Sequence, residues 1–137
     1  MKKIPFLLML SFIVMATMTS AKEKKSVIEV LYFKATLACC KARACNALEG
    51  KVKEIVAKNW ADGSVTFRQV KLSDSANTEL VKKYNAQSQT LILVKTTKKK
   101  EASLNISAVL QEYAKTNDAQ KFETEFTTRI NEFIKQK

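Results

Sequence analysis

Cys39, Cys40 and Cys45 are the only cysteines in the chain, and they cluster just after its second apolar run. Histidine is absent from all 137 residues, which excludes Ser/His/Asp and Cys/His catalysis, imidazole bases and zinc sites that need imidazole. Whatever chemistry exists must use other groups, among which the thiols are clustered. Lys34, Lys41 and Arg43 flank them, and with Cys45 in the first turns of a helix, these cations and the helix N-terminus favour thiolate, the form that attacks. Cys40 and Cys45 placed together in one regular helix would lie about 140° apart around its axis and could not bond. A bridge thus requires Cys40 to lie in a loop before that helix. Three chemistries fit the cluster. In the first, Cys39 or Cys40 attacks a disulfide and Cys45 resolves it; in the second, one pair is a structural disulfide, or Cys45 is simply buried. In the third, Cys39, Cys40 and Cys45 offer three soft thiolates to Cu(I) or trivalent arsenic. An odd count leaves one thiol over whenever two pair, and adjacent Cα atoms only about 3.8 Å apart let either neighbour reach Cys45. Glu49, one helical turn after Cys45, is placed to accept a proton from it.

These groups need elements to position them. Ser26 to Phe33 is a β-branched and aromatic run holding one charge, the pattern of a strand covered on both faces. Lys34 to Ala44 reads as irregular at first; then Ala47, Leu48, Val52, Ile55, Val56 and Trp60 form the stripe of an amphipathic helix ending near Asp62-Gly63. Val65 to Leu72 is a second strand, followed by a short helix capped by Asp74 or Ser75, with Leu80, Val81 and Tyr84 on its apolar side. Thr90 to Val94 is a third strand. Lys95 to Lys100 has a turn's polarity, and Ala102-Ser103-Leu104 can pair back as a hairpin partner. Ile106, Val109, Leu110 and Tyr113 then give a short helical stripe, and Phe122, Phe126, Ile130, Phe133 and Ile134 a longer one, with an interruption at Thr116-Asn117-Asp118 capped by Asn117 or Asp118. Trp60 and the terminal phenylalanines are expected to pack in the core, and Lys98-Lys99-Lys100 to form a solvated hairpin tip. Only two glycines are present, and the one proline is Pro5, so no Gly-rich phosphate loop can be built and nucleotide binding is not expected. The order β-α-β-α-β-β-α around a central mixed sheet is that of a thioredoxin-like α/β sandwich, in which each βαβ unit buries a sheet face under a helix.

From Val30-Leu31-Tyr32-Phe33 through Cys45-Asn46-Ala47-Leu48-Glu49, the sequence resembles the thioredoxin-like family of ArsF-type subunits of nitrophenyl-compound nitroreductases. The likeness continues through Lys83-Tyr84, Thr90 to Val94 and the helix from Phe122 to Ile130. In that family a strand ending in an aromatic pair leads to Cys-x-x-Cys followed by x-Ala-x-Glu; Asn46-Ala47-Leu48-Glu49 puts Cys45 at the second cysteine and Ala42 at the first. The resemblance implies a redox motif whose attacking position holds a methyl group here, with Cys39 and Cys40 preceding it. Proteins of this fold also carry a cis-proline just before the third strand, where Gln89 stands in this chain. No segment would hold a flavin or carry hydride, so nitroreduction is not expected, and the expected cofactor is none.

Met1 to Ala21 has Lys2 and Lys3, an apolar run from Ile4 to Met18 and the small-residue tripeptide Thr19-Ser20-Ala21, the pattern of a cleaved secretory signal peptide. Its apolar run is shorter than the roughly 20 residues a membrane span needs. The expected organisation is a signal peptide over 1–21 and one domain over 22–137, exported to the periplasm or outside the cell, with no membrane span after cleavage. Hydrophobic residues at 46% and charged ones at 27% are a globular balance, and 24 Lys and Arg against 13 Asp and Glu give a net charge of +11. In an exported protein that charge suits solubility and weak contact with anionic surfaces rather than nucleic acid. The function expected is thiol-disulfide exchange with a client protein or a redox partner; the alternative is a non-catalytic binding module that kept the fold, including one that binds a soft metal through its cysteines.

Overall fold

The computed structural model describes residues 27–36, 39–98 and 100–136; residues 1–21, expected from the sequence to be a signal peptide, lie outside the described residues. β1 (Val27–Lys34) is followed by α1 (Cys39–Asn59), β2 (Val65–Lys71), a 3-10 turn at Ser75–Asn77 and α2 (Thr78–Lys83). β3 (Leu91–Thr96), β4 (Glu101–Asn105), α3 (Ser107–Thr116) and α4 (Ala119–Lys135) complete the chain. The protein is thus α/β, with a four-stranded mixed sheet in the order β2-β1-β3-β4. β1 runs parallel to β2, from Ile28 opposite Val65 to Lys34 opposite Lys71. It runs antiparallel to β3, which in turn pairs antiparallel with β4.

Side chains alternate across a strand, and that alternation divides the core. Ile28, Val30 and Tyr32 of β1 and Leu91 and Leu93 of β3 point to one face, where Leu48, Val52, Ile55 and Val56 of α1 meet Val109 and Leu110 of α3 and Phe122, Phe126, Ile130 and Phe133 of α4. Leu31 and Phe33 of β1, Val70 of β2 and Ile92 and Val94 of β3 point to the other, which Leu80, Val81 and Tyr84 cover from the α2 region. β1 is buried on both faces, as its apolar run implies. Trp60 packs against the first cluster and Lys98 and Lys100 are exposed; Lys99 lies outside the described residues.

One difference from the sequence-based expectation bears on the site. α1 begins at Cys39 rather than beyond Ala44, so the backbone of both Cys39 and Cys40 is helical. The final helical region breaks where the sequence places the interruption: Asn117 takes the left-handed conformation (φ 54°) that ends α3, and the Asp118 carboxylate accepts from the Lys121 amide at 2.9 Å to start α4. No helix of the described residues is long and apolar enough to cross a membrane.

Candidate functional site

The site lies where β1 ends, where α1 begins and where the chain enters β3. Cys45 sits on the inner face of α1, a free thiol in a residue only 3% exposed. Two side chains reach it from the sheet side. The Tyr32 hydroxyl donates to the Cys45 carbonyl at 3.1 Å, and the Gln89 amide donates from Nε2 to Cys45 Sγ, also at 3.1 Å. Tyr32 is wholly buried, and burial first, then the charges of Cys45 and Glu49, hold its phenol protonated well above the usual tyrosine range. A phenol kept in its neutral form stays a donor.

The Gln89 contact depends on an unusual backbone. Gln89 has φ 67°, in the left-handed region that residues with a Cβ seldom enter. Strand β1 fixes it there: the Gln89 amide donates to the Phe33 carbonyl at 2.8 Å, and the Phe33 amide donates to the Thr90 carbonyl at 2.9 Å. The next amide, of Leu91, donates to Ser107 Oγ at the start of α3 at 2.9 Å. No cis peptide bond occurs among the described residues.

Glu49 is half-buried and fully engaged. Its Oε2 accepts from Lys34 Nζ at 2.6 Å and its Oε1 from Gln69 Nε2 at 2.8 Å. The carboxylate therefore ties α1 to β1 and β2, and neither oxygen is directed to the Cys45 sulfur by a hydrogen bond. The role expected for it as proton acceptor has no contact supporting it here. An ion pair with side chains 25% and 17% exposed is less screened than a surface pair and anchors the helix more firmly.

The side chains of Cys39, Cys40 and Lys41 lie outside those described, but the helical backbone constrains the pairing. On an ideal helix, Cα atoms five and six residues apart are separated by about 8.7 and about 9.8 Å, beyond the roughly 7 Å limit for a disulfide. The sequence condition for a bridge, Cys40 in a loop, is therefore not met by this backbone; closing one to Cys45 requires the first turn of α1 to unwind. Ala42 lies one turn before Cys45 on α1 and is half-buried, while Arg43 and Ala44 are exposed. Among the described residues, no three His, Cys, Asp or Glu side chains come together as a metal site would need.

No family model matches the chain. No curated protein matches it either. Among solved structures, one described as "Structure of a malarial protein" is similar at 17% identity, with 66% of this chain and 96% of that one covered and a TM-score of 0.38, a likeness too low to carry an argument.

Tyr32 and Gln69 are the site residues that sequence reasoning did not single out. The signal for Gln69 was present: it shares a face with Phe67 in a period-two strand, a polar group at an inward position that needed a partner. Gln89 was noted for the proline it replaces, and its bond to the sulfur across 44 positions had no local signal.

Proposed function

We propose that this chain is an exported thioredoxin-like protein that acts in thiol-disulfide exchange, with Cys45 as the resolving thiol and Cys39 or Cys40 as the attacking one. The observation that carries the reading is the position of the Cys45 sulfur: within the first turns of the helix that follows β1, facing the loop before β3, with a side-chain donor on it. The sheet order β2-β1-β3-β4, with α1, α3 and α4 on one face and the α2 region on the other, supports a thioredoxin-like fold, as does the resemblance at Cys45 to Glu49.

The reaction balances within the cluster and its client. The Cys39 or Cys40 thiolate attacks one sulfur of a client disulfide, the client bond breaks, and the second client sulfur leaves as a thiolate that takes up a proton. Cys45 then attacks the mixed disulfide, the first client sulfur leaves, and the internal pair is oxidised while the client is reduced by two electrons. Transient unwinding of the first turn of α1 brings the two protein sulfurs within bonding reach. Reduction by an external dithiol resets the cycle.

Ala42 and the burial of Cys45 favour a second reading, a non-catalytic module that kept this fold. Insulin reduction driven by dithiothreitol separates the two. Turnover in the wild type that is lost in Cys45→Ser supports exchange; equal inactivity of both favours the module.

A further inference from the structure

We infer that Gln89 is a positioning residue for Cys45, one that holds the thiol ready to attack from within the protein while closing it to thiols and disulfides from outside. The inference rests on the exchange reading and names how its buried thiol is controlled. Gln89 is half-buried and lies against a sulfur whose residue is 3% exposed. Its backbone is pinned to β1 through Phe33, and the turn that contains it is closed by the Thr90 amide to the Gln87 carbonyl at 3.1 Å and the Gln87 amide to Thr90 Oγ1 at 2.9 Å. With the backbone so held, the side-chain amide can leave the sulfur by rotation alone, without moving the strand.

The amide lies as a donor 3.1 Å from the sulfur, so it fixes the thiol's orientation and, as a body of atoms, stands against it on the side of the loop before β3. A mixed disulfide formed at Cys39 or Cys40 is carried on the same helix as Cys45, so it meets the sulfur through unwinding of that helix's first turn and not through solvent. Gln89 therefore sets the order of events: the neighbouring cysteine attacks first and Cys45 second.

The test uses the full mature chain with Cys39→Ser and Cys40→Ser, so that Cys45 is the sole thiol and no exchange activity is present. The readout is the rate at which Cys45 sulfur displaces iodide from iodoacetamide, measured at one fixed pH under native conditions. Gln89→Gly removes the side chain while keeping a residue that accepts φ 67° without strain, and Gln89→Leu retains bulk without a donor. Gln89→Gly should raise the rate at least tenfold, with Gln89→Leu leaving it within about threefold. Rates unchanged in both variants would overturn the inference. So would equal acceleration of both that tracks a fall in urea midpoint, since that is exposure by unfolding. Because the background carries no exchange pair, a positive result here beside a wild type inactive in insulin reduction would reject the exchange reading and its order of events, and leave Gln89 only as the side chain that covers the Cys45 thiol.

Discussion

Tyr32→Phe removes one hydroxyl from the base of the site and leaves the buried ring in place. The bond lost is the 3.1 Å donation to the Cys45 carbonyl. That carbonyl lies within α1 (Cys39–Asn59) and keeps its helical partner, so no buried acceptor is orphaned. The loss should therefore be the net value of one hydrogen bond, about 1 kcal/mol at neutral pH, rather than a full desolvation penalty. For a domain of this size that is about 4 °C in Tm. Alkaline pH should reverse the comparison. The Tyr32 phenol stays protonated in the folded protein well above its ordinary value of 10.0, whereas an unfolded tyrosine ionises near that value. The folded state then holds a proton that the unfolded state has released, so the stability from this group is full below pH 10 and falls as pH rises further. One-group linkage gives a loss of about 0.4 kcal/mol at pH 10 and about 1.4 kcal/mol at pH 11. The phenylalanine variant lacks this loss, and Tyr84, also shifted upward by burial, is present in both chains and cancels. Urea unfolding followed by circular dichroism should show the wild type more stable by about 1 kcal/mol at pH 7 and the variant equal or ahead near pH 11. A difference that stays constant over that range would refute the reasoning.

Phe126→Ala empties a wholly buried position stacked 5.6 Å from Phe122, and should cost about 3–5 kcal/mol in urea unfolding, a large part of what such a domain has. Asp118→Ala removes the acceptor of the Lys121 amide and should cost about 1 kcal/mol, with Asp118→Asn recovering most of it. Lys34→Met leaves Glu49 with Gln69 alone, and should cost about 1–2 kcal/mol, between the values for an exposed and a buried pair; a double-mutant cycle with Glu49→Gln measures the coupling, and a coupling near zero would show that the pair anchors nothing.

The parts of the structure that sequence reveals are those with a local period. Leu48, Val52, Ile55 and Val56 recur at helical steps because one side of α1 must meet the sheet, and Val30 to Phe33 is continuously apolar because β1 lies between two layers. Asn117-Asp118 signalled the break between α3 and α4 through residues that suit left-handed and capping positions. The start of α1 carries no such mark. Cys39 to Ala44 has no apolar stripe, yet alanine, lysine and arginine are strong helix formers, and the helix extends back through them. The contacts at the site are also non-local. Cys45 meets Gln89 across 44 positions, and Glu49 meets Lys34 across 15 and Gln69 across 20, all through strand pairing that no short window contains. What composition conveyed about this site was its chemistry, thiols without imidazole, and what it could not convey was which side chains would lie on the sulfur.

The most direct test of the account is peptide mapping of the unreduced mature protein equilibrated in glutathione buffers of stepped potential, with free thiols alkylated before digestion. A reversible disulfide between Cys45 and Cys39 or Cys40, forming and breaking across the series, is the predicted result. Cys45 recovered as an unbridged thiol at every potential, alkylated only after the protein is unfolded, would contradict it.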